Sequence, residues 1–156
     1  MTNKQNTMMY RLFTRNAVDK DVPRLTELER ENFSNLGTLT NFSMQISFPG
    51  SFIVLAHDFD TTLGYVQFTY NMRFITLVAV VVNECNRRQG VGTYLVKHVH
   101  ERLSKEGFPT IMTVVQGKNI AAQLMFKKLG YKSISILRHH EHRDQDNYLM
   151  EYSILQ

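Results

Sequence analysis

The sequence predicts a mixed α/β fold in which hairpin-linked strands and one parallel strand pair are flanked by helices. Three stretches lead to this. The apolar segment 74–82 runs into a glycine-containing turn, Arg87-Arg88-Gln89-Gly90-Val91-Gly92, and then into a helical pattern over 91–106. A strand pattern over 110–116 follows, and two strands joined through a helix pair in parallel. Upstream, strand-like segments 52–57 and 63–70 flank the turn Asp58-Phe59-Asp60-Thr61-Thr62, which makes them a hairpin.

Taken in order, residues 1–8 are expected as a frayed, flexible tail, and 9–156 as a single domain with no linker or internal repeat. Residues 9–15 alternate apolar and polar, as a first strand does. Asp19 and Asp21 are N-cap candidates, and Pro23 suits a first helical turn. Val22, Leu25, Leu28, Asn32 and Phe33 then recur at helical spacing, which predicts a helix over 22–32. Glu27, Glu29 and Glu31 fall on or near its polar side. Segment 34–51 reads as a short helix plus loop. Segment 74–82 is almost continuously apolar, which predicts a central strand buried on both faces.

The helix over 91–106 places Val91, Leu95, Val99 and Leu103 on one face. Gly107 closes it in the left-handed conformation, and Pro109 prevents its continuation. Asn119 caps the next helix, whose buried side is expected to be Ala121, Ala122, Leu124, Met125 and Leu129; Gly130 ends it. Segments 132–137 and 148–154 are the last strands, and the loop 138–147 between them carries His139, His140 and His142.

With 156 residues, 43% hydrophobic and 21% charged, the chain suits one soluble domain with one sizeable core. No apolar run approaches the ~20 residues of a membrane span. Residues 1–7 are polar, and Cys85 is the only cysteine, so no internal disulfide forms; a reducing cytoplasm is the expected location. The net charge of +4 is scattered, with no dense basic run interleaved with aromatics. That speaks against nucleic acid as a partner and suits a small anionic ligand.

The turn 87–92 is the candidate site for such a ligand. A turn that opens a helix presents backbone N–H groups and the positive end of the helix dipole, which favours phosphate. Gly90 and Gly92 lack Cβ, so a ligand can approach the backbone, and Arg87 and Arg88 add charge. The bland alternative is a tight strand-to-helix turn with solvated arginines. The dinucleotide fingerprint is ruled out because Leu95 stands where its third glycine belongs, and no P-loop pattern occurs.

The stretch resembles the acyl-CoA signature of the GNAT superfamily of N-acetyltransferases: Gln or Arg, two variable residues, Gly, one variable residue, then Gly or Ala. Arg87, Gly90 and Gly92 occupy its fixed positions. Val80-Val81-Val82 matches the family's apolar strand. The run 119–131, ending Leu129-Gly130-Tyr131, resembles the family's next helix and its exit. The resemblance extends from about residue 10 to the end. It implies a GNAT-type fold, a mostly antiparallel central sheet with one splayed parallel pair, flanked by helices. It also implies acetyl-CoA as cosubstrate, no metal, and direct attack of an amine on the thioester in a ternary complex.

By that resemblance the pantetheine arm lies in the gap of the splayed pair and bonds the backbone of Val80, Val81 and Val82 as an added strand does. The Val82 N–H polarises the thioester carbonyl. The N–H groups of Gln89, Gly90, Val91, Gly92 and Thr93 hold the pyrophosphate, with Arg87 and Arg88 beside them. Asn119, Ala122 and Phe126 complete the cofactor-binding set, Asn119 serving equally as a plain N-cap.

The chain departs from the family in proton handling. The family's helix tyrosine is Phe126 here; its central-strand Glu or His positions are Thr76 and Val78; its next-strand Glu is Val114. A thiolate leaves without an acid because a thiol has a pKa of about 8.5. An alkyl amine, with a pKa of about 10.4, is only ~0.1% neutral at pH 7.4 and needs a base or a lower pKa. Glu84, just past Val82, is the candidate base, and a solvated turn carboxylate is its bland reading. His139, His140 and His142 come next; neighbours in one loop rarely converge on one metal ion. The expected partner is an amine acceptor, small molecule or protein, with a homodimer compatible with apolar loops and edge strands. The alternative is a catalytically weak or inactive acyl-CoA-binding regulatory or interaction module.

Overall fold

The computed structural model describes residues 11–33, 40–138 and 146–154. Strand β1 (Leu12–Asn16) leads through a 3-10 turn, Asp19–Asp21, into α1 (Val22–Asn32) and then α2 (Phe42–Ser47). Strands β2 (Ser51–Asp58), β3 (Thr61–Tyr70) and β4 (Ile75–Val82) follow, then a 3-10 turn, Glu84–Asn86. The rest is α3 (Val91–Lys105), β5 (Thr110–Gln116), α4 (Ile120–Lys128), β6 (Lys132–Leu137) and β7 (Asn147–Ser153). The seven strands form one sheet in the order β1-β2-β3-β4-β5-β7-β6. Every neighbouring pair is antiparallel except β4 and β5, which are parallel because α3 crosses between them. This is the expected fold class.

The sheet separates two apolar layers. On one face Val91, Leu95, Val99 and Leu103 of α3 are buried against Val66, Phe68, Ile75, Leu77 and Ile111. Burying such a side chain contributes about 1.5–3 kcal/mol, so this one stripe fixes α3 on the sheet. On the other face Leu25 and Leu28 of α1 and Phe42 of α2 meet Leu55, Tyr65 and Val81. That second layer covers only the β2–β4 half of its face.

The central strand differs from the expectation of burial on both faces. In the pairing of β3 with β4, Gln67 faces Ala79 and Phe68 faces Leu77, so Val78 is an extra residue, a β-bulge. The bulge switches the side-chain alternation. Ile75 and Leu77 enter the α3 layer, whereas Ala79 and Val81 enter the α1–α2 layer. Val78 itself is 52% exposed.

At the same level β5 leaves β4. Their pairing runs only through Ile75↔Ile111, Thr76↔Met112 and Leu77↔Thr113. Strand β5 continues beside β7 as far as Gln116↔Asn147. The Thr113 hydroxyl donates to the Leu77 carbonyl at 3.0 Å, giving that buried acceptor a partner where the ladder ends. Past this point a gap opens between β4 and β5, and Val114 is 47% exposed.

Other expectations needed correction. On α4 the buried residue is Phe126, edge-on to Tyr131, while Ala121 and Leu124 face outward. The helix is apolar nearly all round, so spacing alone does not select a face. Glu29 is 5% exposed rather than on a polar side. Its carboxylate accepts from the Thr40 N–H at 2.8 Å and from the Thr40 hydroxyl, which satisfies the buried charge. Asp21 precedes α1 but makes no side-chain cap for it. Instead it accepts two Arg15 guanidinium bonds of 2.7 Å and the Val18 N–H at 2.9 Å. The tail 1–8 and the histidine loop 139–142 lie outside the described residues.

Candidate active site

The gap between β4 and β5 has a lining of backbone. The Asn83 N–H donates to the Leu63 carbonyl at 2.8 Å, so the groups of Asn83 and, by alternation, Val81 face β3. Those of Val80 and Val82 therefore face the side that β5 has left. Val81 is instead buried, in the α1–α2 layer. The Val82 carbonyl accepts from Arg87 Nε at 3.3 Å. The N–H groups of Val80 and Val82 remain along the gap, as an edge strand presents them to an extended ligand.

At the open end of the gap the chain turns into α3. Gly90 is the N-cap of α3 and is left-handed, φ 83°. Arg88 is also left-handed, φ 59°, and exposed. Such a conformation costs a residue with a Cβ of the order of 1 kcal/mol and concentrates at ligand-binding turns. The ladder of α3 begins with the bond from the Tyr94 N–H to the Gly90 carbonyl, 2.9 Å. The N–H groups of Val91, Gly92 and Thr93 precede that rung, at the positive end of the helix. Gln89 braces the turn through a 3.3 Å bond from its side-chain nitrogen to the Cys85 carbonyl.

Two motif residues do something other than the sequence suggested. A Cβ at Gly92 would point into the protein, 3.4 Å from Met125 Sδ and 3.5 Å from a Val80 methyl. Gly92 therefore lets the first turn of α3 sit close on β4 and α4, and its missing side chain opens no space for phosphate. Arg87 is drawn sideways: besides Val82 it donates to Asn32 Oδ1 at the end of α1.

On the far wall, Asn119 caps α4 by accepting the Ala122 N–H at 3.1 Å. Its oxygen is engaged, and its amide nitrogen is what a ligand contact has left. Ala122 is half-buried at the margin of the α3 layer. Phe126 is only 4% exposed, so its ring supports this wall from behind.

Glu84 is exposed and opens the 3-10 turn after β4. The strands part at Leu77, so Glu84 lies at least about 16 Å of strand rise from the closed end, at the mouth of the gap. Thr76, Val78, Val114 and Phe126 carry no group that titrates near neutrality. Two clefts, of about 770 and 390 Å³, lie elsewhere, around the β2–β3 turn beside Arg15 and beside the end of α2. Among the described residues no His, Cys, Asp and Glu groups gather into a metal-binding cluster, and no helix is long and apolar enough to cross a membrane.

Sequence reasoning missed the bulge and the Arg87–Asn32 bond. Val78 is one valine among several, so nothing marks it as the extra residue. Thr113, a hydroxyl in an apolar strand, was the visible hint of where the ladder stops.

Residues 9–131 match the family described as "Acetyltransferase (GNAT) family". Over 65 residues, 42% of this chain and 44% of that protein, the chain is 32% identical to the ribosomal protein bS18-alanine N-acetyltransferase of Escherichia coli K12. The match thus spans less than half the length of that relative. The crystal structure of the E. coli ribosomal-protein-S18-alanine N-acetyltransferase superposes with a TM-score of 0.80 at 19% identity, covering 92% of this chain and 94% of that one. Ard1 from Thermoplasma volcanium gives 0.80 at 18%, covering 93% and 99%. Arabidopsis thaliana NAA60, in complex with a bisubstrate analogue, gives 0.79 at 16%, covering 91% and 97%. At these identities the structures speak for the fold.

Proposed function

The chain belongs to the acetyltransferase (GNAT) family, and from that premise we propose that it transfers an acetyl group from acetyl-CoA to the α-amine of a peptide or protein N-terminus. The observation that carries this reading is the parting of β4 from β5 at the Val78 bulge, in line with the N-terminus of α3. A gap edged by free strand N–H groups suits an extended pantetheine arm, and a helix N-terminus suits its phosphates. The pyrophosphate lies on the backbone from Gln89 to Thr93, and Arg88 adds screened charge.

Direct attack then needs few groups. The amine nitrogen attacks the thioester carbonyl carbon, whose oxygen gains charge and is held by a fixed backbone donor of β4, the gap-facing N–H of Val80 nearest the bulge rather than that of Val82 at the mouth. The C–S bond breaks as the C–N bond forms. CoA leaves as thiolate, and the proton of the amine passes to water in the gap and along it to Glu84 at the mouth or to solvent. Holding both substrates in the gap supplies the rest through proximity.

Two features support an α-amine. The family's proton-handling positions read Thr76, Val78, Val114 and Phe126. An α-amine, pKa about 7.7–8, is roughly a quarter neutral at pH 7.4, against ~0.1% for a lysine amine, so it asks much less of a base. On the face away from α3, Val78, Met112, Val114 and Leu149 form a partly open apolar surface that an extended peptide can lie on. The relative named for ribosomal protein bS18-alanine points the same way.

The test is acetyl-CoA turnover on peptides with a free N-terminus, on the same peptides N-blocked but carrying lysine, and on small alkyl amines. Turnover is expected on the first set, with kcat/KM at least about tenfold above the others at pH 7.4. Preference for lysine peptides or alkyl amines sinks the α-amine reading. Binding of acetyl-CoA without turnover on any amine leaves an acyl-CoA-binding module.

A further inference from the structure

We propose that Arg87 is a positioning residue that fastens the acceptor-side helix α1 to the gap edge of β4, rather than a ligand of the cofactor phosphates. The term acceptor-side rests on the transferase reading above. The motif invites the other assignment, because Arg87 stands at its first fixed position beside a phosphate-binding turn.

The geometry turns the side chain away from that turn. Arg87 has extended backbone, φ −68° and ψ 158°, and its Nε donates to the Val82 carbonyl at 3.3 Å. Its Nη2 donates to Asn32 Oδ1. Asn32 is the last residue of α1, and its Nδ2 donates to the Leu28 carbonyl at 2.7 Å. One guanidinium thus joins the end of β4 to the last turn of α1 through an asparagine that is itself tied to its helix. The cation also lies at the negative end of the α1 dipole, where it is favoured. A planar fork of donors suits two acceptors set at an angle; a lysine ammonium on a flexible stem holds such a pair less well.

Helix α1 belongs to the layer that covers the β2–β4 half of the sheet face and stops short of the open surface at Val78 and Val114. Its last turn, tied through Arg87 to the Val82 end of β4, is where this covering layer meets the gap strand. Losing the Arg87 tie frees that end of the layer while the backbone N–H groups of the turn 89–93 stay in place. Acceptor binding should suffer, and cofactor binding should not.

The experiment measures acetyl-CoA affinity by calorimetry and steady-state kinetics with a free-N-terminus peptide, for the parent, Arg87→Ala, Asn32→Ala, the double variant, Arg87→Lys and Arg88→Ala. Arg87→Ala and Asn32→Ala are each expected to raise the acceptor KM roughly 3–10-fold, with kcat less affected and no further loss in the double variant, as for two groups acting as one. Acetyl-CoA Kd should move less than about twofold in both, and Arg87→Lys should restore only part of the KM. The proposal is overturned if Arg87→Ala weakens acetyl-CoA about tenfold or more, with a loss that fades as salt rises, while Asn32→Ala is silent. Additive KM effects of the two variants also overturn it. If no amine is turned over, the transferase reading fails, and the tie is still read separately. Amides 30–32 of α1 should then exchange faster in Arg87→Ala and Asn32→Ala alike; unchanged exchange refutes the tie.

Discussion

Gly90 and Gly92 stand in one motif and answer to different physics. Gly90 holds φ 83°, which a side chain disfavours, and Asn and Asp tolerate that region better than most residues. Gly90→Asn is therefore expected to fold and keep most of the acetyl-CoA-induced rise in melting temperature, whereas Gly90→Asp, of the same shape but charged, should lose it. Equal shifts in the two variants would place the phosphates elsewhere. Gly92 is a packing residue, with room for a Cβ at 3.4 Å from Met125 but not for two more methyls. Gly92→Ala should leave the melting temperature within a few degrees of the parent, and Gly92→Val should lower stability by about 1–3 kcal/mol in denaturant titration without ligand. At Glu84 the expectation concerns pH. Glu84→Gln should cost up to about tenfold in kcat/KM near pH 7, where an α-amine is only about a tenth neutral, the loss shrinking as pH passes the α-amine pKa of about 8. An unaltered acidic limb in the pH–rate profile removes Glu84 from the reaction.

At the scale of elements, β4 is the part on which the rest depends. The extra residue Val78 both switches the side-chain alternation and coincides with the end of pairing to β5. Deleting Val78 brings Leu77 and Ala79, which already face consecutive β3 residues, into regular register. Such a variant is expected to fold, by far-UV circular dichroism and cooperative melting, and to lose the thermal shift with acetyl-CoA as β5 zips onto β4. A folded deletion variant that binds acetyl-CoA like the parent would separate the bulge from the gap. Thr113 marks the same boundary. Thr113→Val removes the donor to the buried Leu77 carbonyl and should destabilise by about 1–3 kcal/mol.

At the scale of the whole molecule, His100 of α3 joins three elements. It stacks on Tyr152 of β7 with ring centroids 4.0 Å apart, and its Nε2 shares a 2.9 Å hydrogen bond with the hydroxyl of Tyr131, just past α4. Burial lowers its pKa from 6.5 to about 4. The unfolded chain therefore binds a proton that the folded protein refuses between about pH 6.5 and 4, so stability rises with pH in that window and is lost as pH falls through it. Asp21 adds a lower step. Its bonds from Arg15 hold its carboxyl below the usual value of 3.8, and the stability they bring is lost as pH falls through the depressed value. His100→Phe should flatten the stability profile between pH 6.5 and 4, by at most about 1.4 kcal/mol per pH unit, and leave the lower step intact. Denaturant midpoints across that range measure both.

By itself the sequence determined the elements and the glycine turn that opens α3, because both are written in local patterns. Four-residue spacing put Val91, Leu95, Val99 and Leu103 on one face of α3, and all four are buried. Helix α1 runs over the residues its periodicity marked, and Asn119 caps α4 as its position before an apolar run suggested. The parallel pairing of β4 with β5 followed from the helix between them. Tertiary structure alone decided the site's interior. A bulge among like valines depends on which β3 residue each one faces. Glu29 is buried because Thr40 comes to it, and Arg87 turns to Asn32 because α1 ends beside β4. The face of α4 was settled by where Phe126 meets Tyr131. Each of these is a competition between distant partners for one group, and a linear sequence shows the competitors without their distances.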